Sequence, residues 1–92
     1  MSEIVVSMEG VTVCAPCDQG AAHPESHAGH TRLLLQSRAP VDTPDDTAAQ
    51  SLAYIMRINR KTKGPITIHK GPVASRDGET GKPLCEWAVT QP

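Results

Sequence analysis

A chain of ninety-two residues with a net charge of −1 has room for one domain, and it lacks the basic excess of a dedicated nucleic-acid binder. It contains no Phe, one Trp and one Tyr, so its core must come from Val, Ile, Leu, Met and Ala. A domain this small and this poor in large side chains commonly needs a metal, a disulfide or a partner subunit to be stable.

Along the chain, residues 4–14 predict a hairpin. Ile4, Val6 and Met8 alternate with Val5 and Ser7, and Val11 and Val13 resume the alternation after Glu9-Gly10. Residues 15–30 predict a loop, because they hold Pro16, Gly20, Pro24 and Gly29 and almost no large apolar residue. So long an irregular segment in a small domain needs something to tie it down. Residues 31–38 read as a strand from the spacing of Leu33 and Leu35, with a short helical turn as the rival.

A helix is expected over 43–63. Thr43 is placed to cap it, Pro44 suits the first helical position, and Asp45 and Asp46 fall in the first turn. Ala48, Leu52, Ile55 and Met56 form its apolar stripe, which Ala49 and Ala53 broaden. Gly64 is a natural C-terminal cap and Pro65 prevents continuation. Ile66 and Ile68 then mark a strand over 65–69, and 70–83 reads as a long surface loop with a turn at Asp77-Gly78. A last strand over 84–90 places Cys85, Trp87 and Val89 on one face. The sum is a single compact α+β domain over 1–92: a small antiparallel sheet, one packed amphipathic helix and a zinc-bound loop.

The chemistry concentrates in the loop. Cys14 and Cys17 are separated by two residues, the spacing that turns two sulfurs onto one ion. His23, His27 and His30 follow, and twelve residues between Cys17 and His30 is a familiar zinc spacing. The preferred ligands are Cys14, Cys17, His27 and His30, with His23 as the alternative imidazole, because Pro24 and Glu25 suggest an exposed bend at His23. Cys85 could substitute, but on the Trp87 and Val89 face it reads better as a small core hydrophobe. The pattern is not an ordinary zinc finger, since Leu33, Leu34 and Leu35 occupy the region where a further histidine belongs.

Other chemistry finds less support. Dithiol exchange needs a thiol with a depressed pKa, commonly at a helix N-terminus, and residues 18–24 are a weak helix start. A catalytic zinc would need an open position and a proton carrier, for which Glu25 and an unused histidine are the candidates. The metalloprotease and deaminase motifs are absent, and Gly81-Lys82-Pro83 does not fit a phosphate-binding loop. Charge is uneven along the chain: residues 1–56 carry seven acids and two bases, residues 57–92 seven bases and three acids. Arg57, Arg60, Lys61 and Lys63 cluster at the end of the expected helix and are the candidate contacts for phosphate or for a partner; they also complement the helix dipole.

The leading expectation is a small, non-enzymatic, metal-stabilised adaptor or regulatory protein that binds another macromolecule, with a protein as the expected partner. Alternatives are a nucleic-acid-binding zinc module using the basic helix end, a small zinc-dependent hydrolase, and a metal-free homodimeric binding protein. No membrane association is expected, since the first residues lack a secretory pattern and no apolar run is long enough to span a bilayer. An odd number of cysteines fits a cytoplasmic location, where thiols stay reduced.

Overall fold

The computed structural model describes residues 6–14 and 32–92. Strand β1 (Val11–Cys14) is followed by β2 (Arg32–Pro40), helix α1 (Asp45–Tyr54) running into a π-helical turn (Ile55–Asn59), β3 (Ile66–Arg76) and β4 (Pro83–Gln91). The strands form one sheet in the order β1-β3-β4-β2. The α+β class is therefore as expected, but the sheet is mixed. The ladders β3/β4 and β2/β4 are antiparallel, whereas β1 runs parallel to β3.

That parallel edge corrects the expected hairpin. Residues 6–8 form no strand, Glu9-Gly10 is a turn, and Val11–Cys14 pairs with Ile66–His69 instead of with its own N-terminal neighbours. Ile4 and Val5 lie outside the described residues. Gly10 makes the turn with φ +76°, and its carbonyl accepts a 2.9 Å hydrogen bond from the Ile66 amide, which sets the start of the parallel ladder.

The helix is shorter than 43–63 and ends differently. Thr43 does not cap it; its amide donates to the Pro40 carbonyl at 2.9 Å in the preceding turn, and Pro44 takes the cap position without a side-chain bond. The buried stripe is Ala48, Ala49, Leu52, Ala53 and Met56. After Tyr54 the turn widens: the Arg60 amide reaches back five residues to the Ile55 carbonyl at 2.9 Å. The chain then leaves the helix through Lys61, at φ 53°, well before Gly64. Gly64 does adopt a positive φ of 85°, but in the connection to β3.

The expected surface loop over 70–83 is mostly strand. β3 continues to Arg76 and β4 begins at Pro83, which leaves 77–82 as the turn. Gly71 and Pro72 explain the misreading, since proline donates no ladder hydrogen bond and the register shifts between Lys70 and Val73. At the tip, Asp77 Oδ1 accepts from the amides of Glu79 (2.7 Å) and Thr80 (3.1 Å). These two bonds hold its carboxyl below the ordinary value of 3.8.

α1 packs on one face of the sheet. Ile66, Ile68, Cys85, Trp87 and Val89 meet its alanine-rich stripe to form the core, with Val11 and Ala39 packed against the edges. The small helix side chains let the bulk of Trp87, 2% exposed, fill the interlayer space. At the rim of this face, Lys70 Nζ lies 2.8 Å from Asp45 Oδ1 of α1 and 5.8 Å from the centre of the Trp87 ring.

Candidate functional site

The reverse face of the sheet carries different residues. In β3, Thr67 and His69 alternate with Ile66 and Ile68, and in β4, Ala88 and Thr90 alternate with Trp87 and Val89. Register sets Cys14 beside His69 and His69 beside Ala88, so one row across the reverse face reads Cys14, His69, Ala88, Gln36. His69 and Ala88 are fully buried and Thr90 is 1% exposed, although α1 covers the other face. His69 Nε2 and Thr90 Oγ1 are hydrogen-bonded at 2.8 Å.

Of the expected metal ligands, Cys14 is described and ends β1, half-buried on this reverse face. Cys17, His23, His27 and His30 lie outside the described residues, as does Glu25. Among the described residues no group of three or more His, Cys, Asp or Glu side chains is placed to hold an ion. Cys85 is 4% exposed within the core on the helix face, so the sheet stands between it and Cys14. Its role is packing.

Sequence reasoning missed His69. It stood in a predicted strand with no neighbour to give it meaning, and its alternation with Ile66 and Ile68 was the only signal that it faces away from the core.

The basic candidates at the end of the helix are placed on the π-helical turn and the connection after it. Arg57 Nη1 donates to the Thr62 carbonyl at 2.9 Å, and Arg60 Nη1 donates to the Leu34 carbonyl of β2. Both guanidinium groups thus close backbone carbonyls that the widened turn and the edge strand present. Lys61 and Lys63 are exposed, and the Lys63 carbonyl accepts from Gln91 Nε2 at 2.7 Å. Two of the four candidates are thus engaged with backbone carbonyls, and the two lysines are exposed.

Beside them opens a broad groove of about 700 Å³, walled by Val6, Tyr54, Ile58 and Pro65, with Arg57 and Glu9 among its polar residues. Ile58 is 52% exposed on its rim. Gly10 leaves space under the Arg57 guanidinium: a β-carbon there would lie 3.5 Å from Nη2. Among the described residues its lining includes no cysteine or histidine; beside the apolar wall it carries the Ser7 and Tyr54 hydroxyls, the Arg57 guanidinium and the Glu9 carboxylate.

Fold and site define a small α+β domain with a mixed sheet whose two faces differ in chemistry. No protein-family model matches the chain, and no curated protein or solved structure shows a significant likeness to it. Among the described residues no helix is long and apolar enough to cross a membrane.

Proposed function

We propose that this chain is a small, non-enzymatic, metal-stabilised adaptor or regulatory protein of a reducing, cytoplasmic compartment, and that it binds another protein. The observation that carries the binding reading is the groove at the end of the helix. Its apolar wall, exposed Ile58 and rim pair of Arg57 and Glu9 suit a partner side chain or short segment. Among the described lining residues the polar side chains are Ser7, Glu9, Tyr54 and Arg57, and the hydrogen bond that Ser7 Oγ accepts among them comes from the Glu9 backbone amide. Zinc, held by Cys14 and Cys17 with imidazoles from His27 and His30 or from His23, supplies the stability that the small core does not.

The use of Arg57 and Arg60 as donors to backbone carbonyls favours a protein partner over nucleic acid. A phosphate-binding surface works best with cations that are free to meet the backbone.

The test is metal analysis of purified, untagged protein coupled to native mass, followed by quantitative capture with wild type and Ile58→Glu. One zinc per chain, loss of folding on chelation and a partner recovered by wild type but not by Ile58→Glu support the reading. A metal-free dimer by native mass overturns it. So does oligonucleotide binding that weakens steeply with salt and with removal of Arg57, Arg60 and Lys61.

A further inference from the structure

We propose that the groove at the end of the helix takes an internal segment of a partner protein that carries an acidic side chain beside an apolar one, with Arg57 receiving the acid and Glu9 a flanking base. The inference deepens the protein-binding reading above and rests on it.

Tyr54 is the last residue of α1, and Arg57 and Ile58 lie on the π-helical turn that follows. Residues three and four apart are neighbours on a helix surface, so the Tyr54 ring stands on the same side as Arg57 and Ile58. All three line the groove. Widened turns of this kind recur at functional sites. Here the turn sets a guanidinium against an apolar wall of Val6, Ile58, Pro65 and the Tyr54 ring.

That guanidinium is half-buried and only partly used. Arginine offers a planar fork of N–H donors. Nη1 donates to the Thr62 carbonyl at 2.9 Å, which fixes the plane. Nη2 is on the side of Gly10, where a β-carbon would stand 3.5 Å from it. The ion pairs formed among the described residues are Lys70 with Asp45 and Lys82 with Asp42, so among them Arg57 has no carboxylate partner. A fixed fork beside apolar surface matches a carboxylate through two parallel hydrogen bonds. The Tyr54 hydroxyl adds a donor to the same lining.

Glu9 defines the other half of the partner's chemistry. It is exposed, it lines the same groove, and it belongs to neither ion pair. A segment bearing an acid alone meets repulsion from Glu9, whereas an acid and a base together satisfy both charges. An internal segment carries such a pair. A free carboxyl terminus is captured by nests of backbone N–H groups, and the donors identified here are side chains.

The test displays random heptapeptides on phage and selects them with the whole wild-type chain. Enriched peptides, made with blocked ends, are then titrated by amide chemical shifts. The expected peptides place an acid beside an apolar residue with a base nearby, and they shift Glu9, Gly10, Arg57 and Ile58. Replacing the peptide's acid by its amide should weaken binding at least about 30-fold, the loss that marks a central charged contact. Glu9→Lys should weaken binding of the base-bearing peptides about two- to fivefold and select a second acid in its place. This exposed residue pairs with no described side chain, so the variant leaves the fold in place.

Enriched peptides that are apolar without an acid, or that bind only with a free carboxyl terminus, overturn the proposal and leave the groove as a protein-binding site. Groove shifts that grow with protein concentration in the absence of peptide put a second copy there and overturn it too. Peptides that bind Ile58→Glu as tightly as wild type, or a library with no enrichment, overturn the groove reading itself, so the two failures are distinguishable.

Discussion

On the face of the sheet that meets α1, Ile68 has Val13 on one side and Val89 on the other; one residue along, on the reverse face, His69 has Cys14 and Ala88. The two rows are built by the same strands in the same register, yet they are stabilised differently. The helix face buries hydrocarbon, and its contribution scales with apolar area removed from water. The reverse face buries an imidazole and a hydroxyl, which cost free energy unless their polar atoms are matched.

On the metal-stabilised reading proposed above, chelation breaks the comparison most severely. Chelation is expected to eliminate cooperative unfolding or to lower Tm sharply, because metal affinity in such small domains is folding free energy; calorimetry with and without chelator measures it. Next in size is Trp87→Ala on the helix face, which should cost about 3–5 kcal/mol in urea denaturation. If metal stoichiometry in the surviving folded fraction is unchanged, the two faces act independently.

A smaller effect tests the end of the helix. Lys61 sits at φ 53°, where a side chain is strained, so Lys61→Gly is expected to stabilise by about 1 kcal/mol. A destabilised variant would mean that the Lys61 side chain contributes more than its backbone costs. The smallest effect concerns the rim of the helix face. The hydrogen bond from Lys70 to Asp45 raises the Lys70 pKa above its ordinary 10.5, with burial opposing the rise. A raised folded value gives stability that is complete below the unfolded pKa and is lost as pH climbs through the folded one. Asp45→Asn should therefore lower stability by at most about 1 kcal/mol at neutral pH, since the pair is partly exposed to solvent. The difference from wild type should disappear in strong alkali, which pH-dependent urea melts would show.

Much of the helix face was legible in the sequence. The Ala48, Leu52 and Met56 spacing identifies a helix, and alternation in Ile66/Ile68 and Cys85/Trp87/Val89 assigns the faces of two strands. The helix ends were less legible. Thr43 has the side chain of a cap, but the turn at Pro40 uses its amide and shifts the start of α1 by one residue. At the other end, Gly64 looked like the stop signal, while the π-helical turn had already closed the helix and passed the positive φ to Lys61. The turn at Asp77-Gly78 was legible, but the strand leading to it was not, because local propensity cannot register a bulge that the β3/β4 ladder absorbs around Gly71 and Pro72.

The candidate site divides in the same way. The spacing of Cys14 and Cys17, and the histidines that follow, are properties of the chain and are visible in it. The proximity of His69 to Cys14 is not, since it depends on which strand β1 joins. Local pattern favoured an antiparallel hairpin for β1, since alternation of side chains is the same whichever partner a strand takes. Only the tertiary structure pairs β1 with β3 in parallel, because that choice depends on where the helix and its crossover place the two strands. Sequence alone marked the helix and the apolar face of the strands it identified; long-range ladder contacts decided the partner of β1, the length of β3 and what lies across the other face.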